Sequence, residues 1–236
     1  METDLRRYQR NQRSISFEDQ EKLLRSTAAV IGCGGLGGYI AEELARLGVG
    51  RLILFDGDRL EVTNLNRQIL ATEATLGQWK VEAARKRLQA VNSSIRVECI
   101  RDWFQEDLAD PHLQGANIVF DALDSIPARL ALERTSHHLG IPMVFASIAG
   151  WFGLLGVSLP GDFSVKKLFG RQAQEMRGVE ASWGNPAFTP AAVASMAVAE
   201  GVKVLTGREI SLHRSWLHVD LLAMEFERFE ILDGQQ

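Results

Sequence analysis

Hydrophobic residues along the chain alternate between short solid runs and stretches with a helical period. Residues 28–31 and 52–55 are solid apolar runs, the pattern of parallel strands covered on both faces. Between them Leu36, Ile40, Leu44 and Leu47 mark one face of a helix. Lys80 opens a second helix whose apolar face is Val81, Ala84, Leu88 and Val91. Residues 96–100, 117–120 and 142–148 read as further strands, and 127–139 as a helix. Strands alternating with helices predict an α/β fold with a mostly parallel sheet flanked by helices. Near the N-terminus, residues 17–24 form a short helix behind Ser16-Phe17-Glu18-Asp19, which resembles a capping box. Toward the C-terminus the pattern becomes antiparallel, with strands at 151–159, 215–219 and 225–232 and a helix of small residues at 188–205. Residues 161–186 lose the period and predict a mobile loop over a substrate.

Candidate chemistry lies where the runs end. After the first strand comes Gly32-Cys33-Gly34-Gly35-Leu36-Gly37, a GxGxxG turn that lets backbone N–H groups approach a phosphate at a helix N-terminus. Asp56 ends the second strand, placed to accept from ribose hydroxyls. A lone GxGxxG is weak; strand, glycine turn, helix, strand and acid in this order point to a nucleotide. The bland alternative is that these glycines serve only tight helix–strand packing. The long connection that follows carries Asn64, Arg67 and Lys80, groups suited to phosphate. Their bland reading is a surface lysine and a surface ion-pair partner. Asp124 falls beyond the end of the 117–120 strand, where a carboxylate could hold Mg²⁺ against a triphosphate or cap the next helix.

Composition narrows the context more than it selects a function. The 236 residues are 46% hydrophobic with a net charge of −4, which gives no global pull toward nucleic acid or an anionic membrane. No apolar run approaches a membrane span, and METDLRRYQRNQR is too charged for a signal peptide, so the cytoplasm is the expected location. Cys33 and Cys99 cannot by themselves make a zinc site. Cys33 lies where a helix N-terminus would lower a thiol pKa, yet it reads mainly as a small residue tolerated beside a nucleotide. Asn92-Ser93-Ser94 matches a glycosylation sequon that has no use without secretion.

In combination these segments resemble the ThiF/MoeB/HesA family, relatives of the ubiquitin-activating enzymes. The resemblance rests on Arg7-Tyr8-Gln9-Arg10, the GxGxxG turn, Asp56-Gly57-Asp58, Asn64-Leu65-Asn66-Arg67-Gln68, Gly77-Gln78-Trp79-Lys80 and Asp121-Ala122-Leu123-Asp124. It implies a Rossmann-like ThiF/MoeB-type fold in one domain over 1–236: an arm and helix at 1–26, an ATP-binding half at 27–150, and a carrier-protein-binding half at 151–236. It further implies ATP-dependent adenylation of the C-terminal Gly-Gly carboxylate of a ubiquitin-like sulfur-carrier protein by a homodimer. Gly32, Gly34, Gly35, Gly37, Asp56, Asp58, Asn64, Arg67, Gln68, Lys80, Asp124 and Ser125 would surround the nucleotide, Asp124 holding Mg²⁺. Arg10, Arg67, Lys80 and Asp124 would carry the chemistry, Arg10 by crossing to the partner subunit's nucleotide. The chain also departs from the family. It has no CxxC pairs, so no structural zinc is expected, and no cysteine in residues 161–186 to accept an acyl group. Ser125 stands where an asparagine often follows the metal aspartate.

Three other readings remain open on the residues alone. The same fold could activate a carboxylate on a modified tRNA base, although the acidic chain lacks a basic stripe. GxGxxG with an acid also fits an NAD-dependent dehydrogenase, against which the triphosphate cations and Asp124 count. A non-catalytic nucleotide-binding module is the fourth.

Overall fold

The computed structural model describes residues 5–169 and 183–231. Eight strands form one sheet in the order β3-β2-β1-β4-β5-β6-β7-β8. The parallel part comprises β1 (Thr27–Ile31), β2 (Arg51–Phe55), β3 (Arg96–Ile100), β4 (Ile118–Asp121) and β5 (Met143–Ala149). β6 (Phe152–Ser158), β7 (Ser215–Asp220) and β8 (Glu225–Glu230) continue it antiparallel. Seven helices belong to the described residues: α1 (Phe17–Arg25), α2 (Gly35–Leu47), α3 (Lys80–Val91), α4 (Glu106–Leu113), α5 (Ile126–His138), α6 (Ser164–Phe169) and α7 (Phe188–Thr206). The predicted α/β fold, parallel first and antiparallel last, is the observed one.

Two apolar layers cover the parallel strands, because successive strand residues point to opposite faces. Ala28, Val30, Leu52 and Leu54 face a layer with Ile40, Leu44 and Leu88 from α2 and α3. Ala29, Ile31, Ile53 and Phe55 face the other layer, with Leu113 and Leu132 from α4 and α5. α7 packs on α2 and against β5 and β6, burying Val193, Ala194, Ala197 and Val198. Contrary to the expectation from sequence, α7 is by length and composition apolar enough to cross a membrane. In the fold it is a core helix, with Val193, Ala194, Ala197 and Val198 buried.

Sequence reading missed two helices. α4 contains Pro111, which weakens the helical signal, and α6 lies inside the segment expected to be a loop. The buried Glu133 on α5 accepts from the N–H groups of Val165 (2.8 Å) and Lys166 (2.9 Å), and so caps α6 by a contact distant in sequence. The remainder of the expected crossover loop, 170–182, lies outside the described residues. β8 ends at Glu230, short of the expected 232, and all its residues are exposed.

The arginine-rich N-terminal segment is docked rather than solvated. Leu5–Tyr8 forms a 3₁₀ turn that buries Tyr8 against Gly48, where any side chain would strike the phenol ring. Asn92 donates to Tyr8 Oη (2.9 Å) and to the Ala45 carbonyl (2.8 Å), and its own oxygen accepts from Arg7. At 1% exposure Asn92 cannot receive a glycan; the sequon is a helix terminus that ties down the arm. Asn92→Ala strips the buried Tyr8 hydroxyl of its amide donor and Arg7 of its acceptor, while the Ala45 carbonyl keeps the Gly48 N–H, and is expected to lower stability by about 1–3 kcal/mol in urea unfolding. Unchanged stability would mean that the arm is not held this way.

Candidate active site

The sheet order reverses between β1 and β4, and ligands in such sheets bind outside the strand ends at that point. Ile31 is level with Phe55 on one side and with Asp121 on the other, so Gly32, Asp56 and Ala122 leave the sheet together. They border a cavity of about 270 Å³ that also takes in Asp58, Asn64, Arg67, Gln68, Lys80 and Asp124. The structure thus gathers residues far apart in sequence into one crevice.

The glycines of the turn divide into two kinds. A Cβ at Gly32 (φ +95°) would lie 2.5 Å from the Ala122 carbonyl oxygen, and one at Gly37 would overlap the Gly32 carbonyl. These two serve close packing of β1, α2 and β4, as the bland reading held. At Gly34 the nearest atom to a Cβ would be Gln68 Nε2, 3.7 Å away, so no steric demand of the protein requires glycine there. α2 begins at that point with no side-chain cap and no acid in its first turn. Its unpaired N–H groups and positive dipole end face the crevice, a fit for phosphate.

Asp56 is nearly buried and fixed on both oxygens, accepting from Cys33 N–H (2.7 Å) and Asp58 N–H (2.8 Å). Burial pushes its carboxyl up, and Lys80 and those two N–H groups oppose the rise. Lys80 is no surface lysine: at 7% exposure it donates to Asp58 Oδ2 (2.7 Å) and stands 4.0 Å from Asp56 Oδ1. Asn64 is buried and closes its own 3₁₀ turn by accepting from Glu61 N–H (3.0 Å). Arg67, half-buried, donates to the Thr63 carbonyl (2.8 Å) and to Asn66 Oδ1 (3.0 Å).

Asp124 is exposed at the cavity wall and does not cap α5; Ser125 does, accepting from Ala128 N–H (3.4 Å). The carboxylate is therefore not used as a helix cap. One carboxylate beside a triphosphate is a donor set that suits Mg²⁺, which keeps waters and phosphate oxygens as its other ligands. Arg10 is exposed on the arm and does not line this chain's cavity. Cys33 corrects an expectation: its thiol is raised well above the ordinary value by full burial and by the Asp56 carboxylate, against which Lys80 acts only weakly.

Sequence reading missed several wall residues. Arg129, from the first turns of α5, is 2% exposed and bonds Asp121 Oδ2 (3.1 Å), the Ala146 carbonyl (2.7 Å) and the Leu123 carbonyl. It thereby fixes the strand-to-helix turn that carries Asp124; nothing in its local pattern distinguishes it from a surface arginine. Trp103 and Phe104 follow β3 and wall the end nearest Asp56. The strand-end rule that found Asp124 would have found them too.

The model of the ThiF family matches residues 8–236. The HesA protein of Leptolyngbya boryana is 34% identical, covering 97% of this chain and 83% of its own length. The sulfur carrier protein adenylyltransferase of Thermus thermophilus is 34% identical over 92% of this chain and 83% of its own. The crystal structure of E. coli MccB with ATP, 22% identical, has a TM-score of 0.81 over 95% of this chain and 71% of its own, which shows a shared fold.

Gly34→Ala is expected to fold normally and weaken ATP binding about tenfold or more, whereas Gly37→Ala unfolds the chain; calorimetry and thermal melts read both. Equal stability loss in the two variants would refute the division. Cys99 is pushed up to about 11 by burial, so neither native thiol should react appreciably with iodoacetamide at pH 8 until the protein is unfolded. Fast labelling of either would contradict the burial described.

Proposed function

We propose that this chain, which belongs to the ThiF family, activates the C-terminal Gly-Gly carboxylate of a ubiquitin-like sulfur-carrier protein. The chain is an adenylyltransferase that uses ATP to activate a carboxylate. The observation that carries the finer reading is the convergence of Arg67, Lys80 and Asp124 on an uncapped helix N-terminus next to the buried Asp56. A relative of similar length named for sulfur-carrier adenylation supports it.

In this reading Asp56 accepts from the ribose, and the N–H groups behind Gly34 and Gly35 receive the phosphates. A carboxylate oxygen of the substrate attacks the α-phosphorus in line. The new O–P bond forms as the bond to the bridging oxygen breaks, and pyrophosphate leaves with the electron pair. No proton need move and no enzyme nucleophile is needed, consistent with the raised thiol of Cys33. The barrier lies in bringing two anions together and spreading charge on the leaving group. Arg67 and Lys80 supply cations for this, Asn64 orients the phosphate chain, and Ser125 holds the turn behind Asp124. Asp58, which grips Lys80 at 2.7 Å, aims it at the phosphates. Asp124 would hold Mg²⁺, which when bound supplies further neutralisation of the leaving charge. Arg10 reaches the γ-phosphate of the partner subunit's nucleotide in a homodimer, which accounts for its place outside this chain's own cavity.

ATP–pyrophosphate exchange with a panel of Gly-Gly-ended ubiquitin-like proteins tests the reading. Exchange should depend on one carrier and should fall about 10²–10³-fold in Arg67→Ala and Asp124→Ala. Nucleotide binding without exchange for any carrier would overturn it, and retention on tRNA with a steep salt dependence would point to a different substrate.

A further inference from the structure

Arg67 and Lys80, the two cations that the reading above places on phosphate, are held in different ways. Asp58 grips Lys80, so part of its charge is offset before any nucleotide arrives. Arg67 is held by neutral oxygens: Nη1 donates to the Thr63 carbonyl (2.8 Å) and to Asn66 Oδ1 (3.0 Å). Both hydrogens of Nη1 are thereby engaged, while Nη2 and Nε have no partner among the described residues. The arginine stem lies at the start of α2, with Cγ 3.9 Å from where a Cβ on Gly35 would stand.

Asn66 is exposed, and an exposed side chain is ordinarily free to change rotamer. Here its amide nitrogen donates to the backbone carbonyl of Asn185 (3.1 Å), 119 residues further on. That carbonyl is a fixed point. Gly150, in the turn between β5 and β6, donates its N–H to the Gly184 carbonyl (2.8 Å), and its own carbonyl accepts from the buried Thr189 hydroxyl (2.7 Å). These two bonds clamp the chain to the sheet on both sides of Asn185. Only one orientation of the Asn66 amide satisfies its neighbours, because a guanidinium only donates and a carbonyl only accepts. An aspartate could accept from Arg67 but could not donate to Asn185.

We infer that Asn66 is a positioning residue that holds the Arg67 guanidinium at the start of α2 by tying it to the Asn185 backbone carbonyl. The contacts run from the β5–β6 turn through Asn185 and Asn66 to Arg67 Nη1, and they leave Nη2 and Nε to meet an anion. Asn66 does not itself line the cavity, so it acts through Arg67. A neutral amide fixes the cation without offsetting its charge, which a carboxylate in the same place would do. The inference rests on the reading above only for placing Arg67 on the phosphates.

A double-mutant cycle read by calorimetric ATP binding tests it. Asn66→Leu removes both polar atoms at similar volume and is expected to raise the Kd for ATP about fivefold. Because the position is exposed, the melting temperature should stay within about 2 °C of wild type. In an Arg67→Ala background the same substitution should change the Kd by less than about twofold, since nothing is left for Asn66 to place. In ATP–pyrophosphate exchange, kcat should fall about tenfold while the carrier's KM is unchanged. A loss of ATP affinity that persists undiminished without Arg67 would overturn the inference. So would an ATP affinity unaltered by Asn66→Leu, ATP binding indifferent to Arg67→Ala, or a raised carrier KM at unchanged kcat. ATP binding needs no carrier, so absence of exchange with every carrier would refute the functional reading alone.

Discussion

The structure depends on a place where backbones touch with no side chain between them. The Gly32 carbonyl abuts Gly37, and Gly32 in turn lies against the Ala122 carbonyl. This contact draws β1, the first turn of α2 and the turn after β4 together at the switch point of the sheet. The N-terminus of α2 therefore points into the crevice instead of over it. A methyl group at either glycine would push the helix off the sheet, and the dipole, the cavity and the Asp124 turn would move with it.

Around that contact the site holds its charges by opposing them. Asp56 is buried at a cost that two backbone N–H groups and Lys80 offset. Lys80 is held by Asp58 rather than left to wander, which fixes a cation without a ligand present. Asp121 is burdened by full burial and relieved by Arg129, whose other bonds pin the carbonyls on both sides of the crevice floor. Asp58 is partly exposed but tied to Lys80, whereas Asp124 is exposed and caps no helix, and that asymmetry makes it a metal candidate.

The periphery obeys the same economy of contacts. The N-terminal segment becomes part of the fold through Tyr8 and Asn92, which places the Arg10 backbone while its side chain stays free of this chain's cavity. At the opposite side, the segment that leads into α7 brings Asn185 to the crevice wall.

Local information was sufficient for the strands and helices of the parallel part, because solid apolar runs and helical periods are set by burial that each segment must find for itself. It was sufficient as well to place the glycine turn, Asp56 and Asp124 at strand ends and Lys80 at a helix start, positions that the structure brings to one crevice. Sequence could not separate Gly32 and Gly37 from Gly34, since the difference is what stands opposite each. It could not see that Cys33 would be overruled by burial, that Asn92 would be locked away, or that α6 would be capped from α5. Nor could it find Arg129 or Asn185, which look like surface residues in their own segments. Their roles arise from contacts between distant parts of the chain, and only the tertiary structure decides which of those contacts exist.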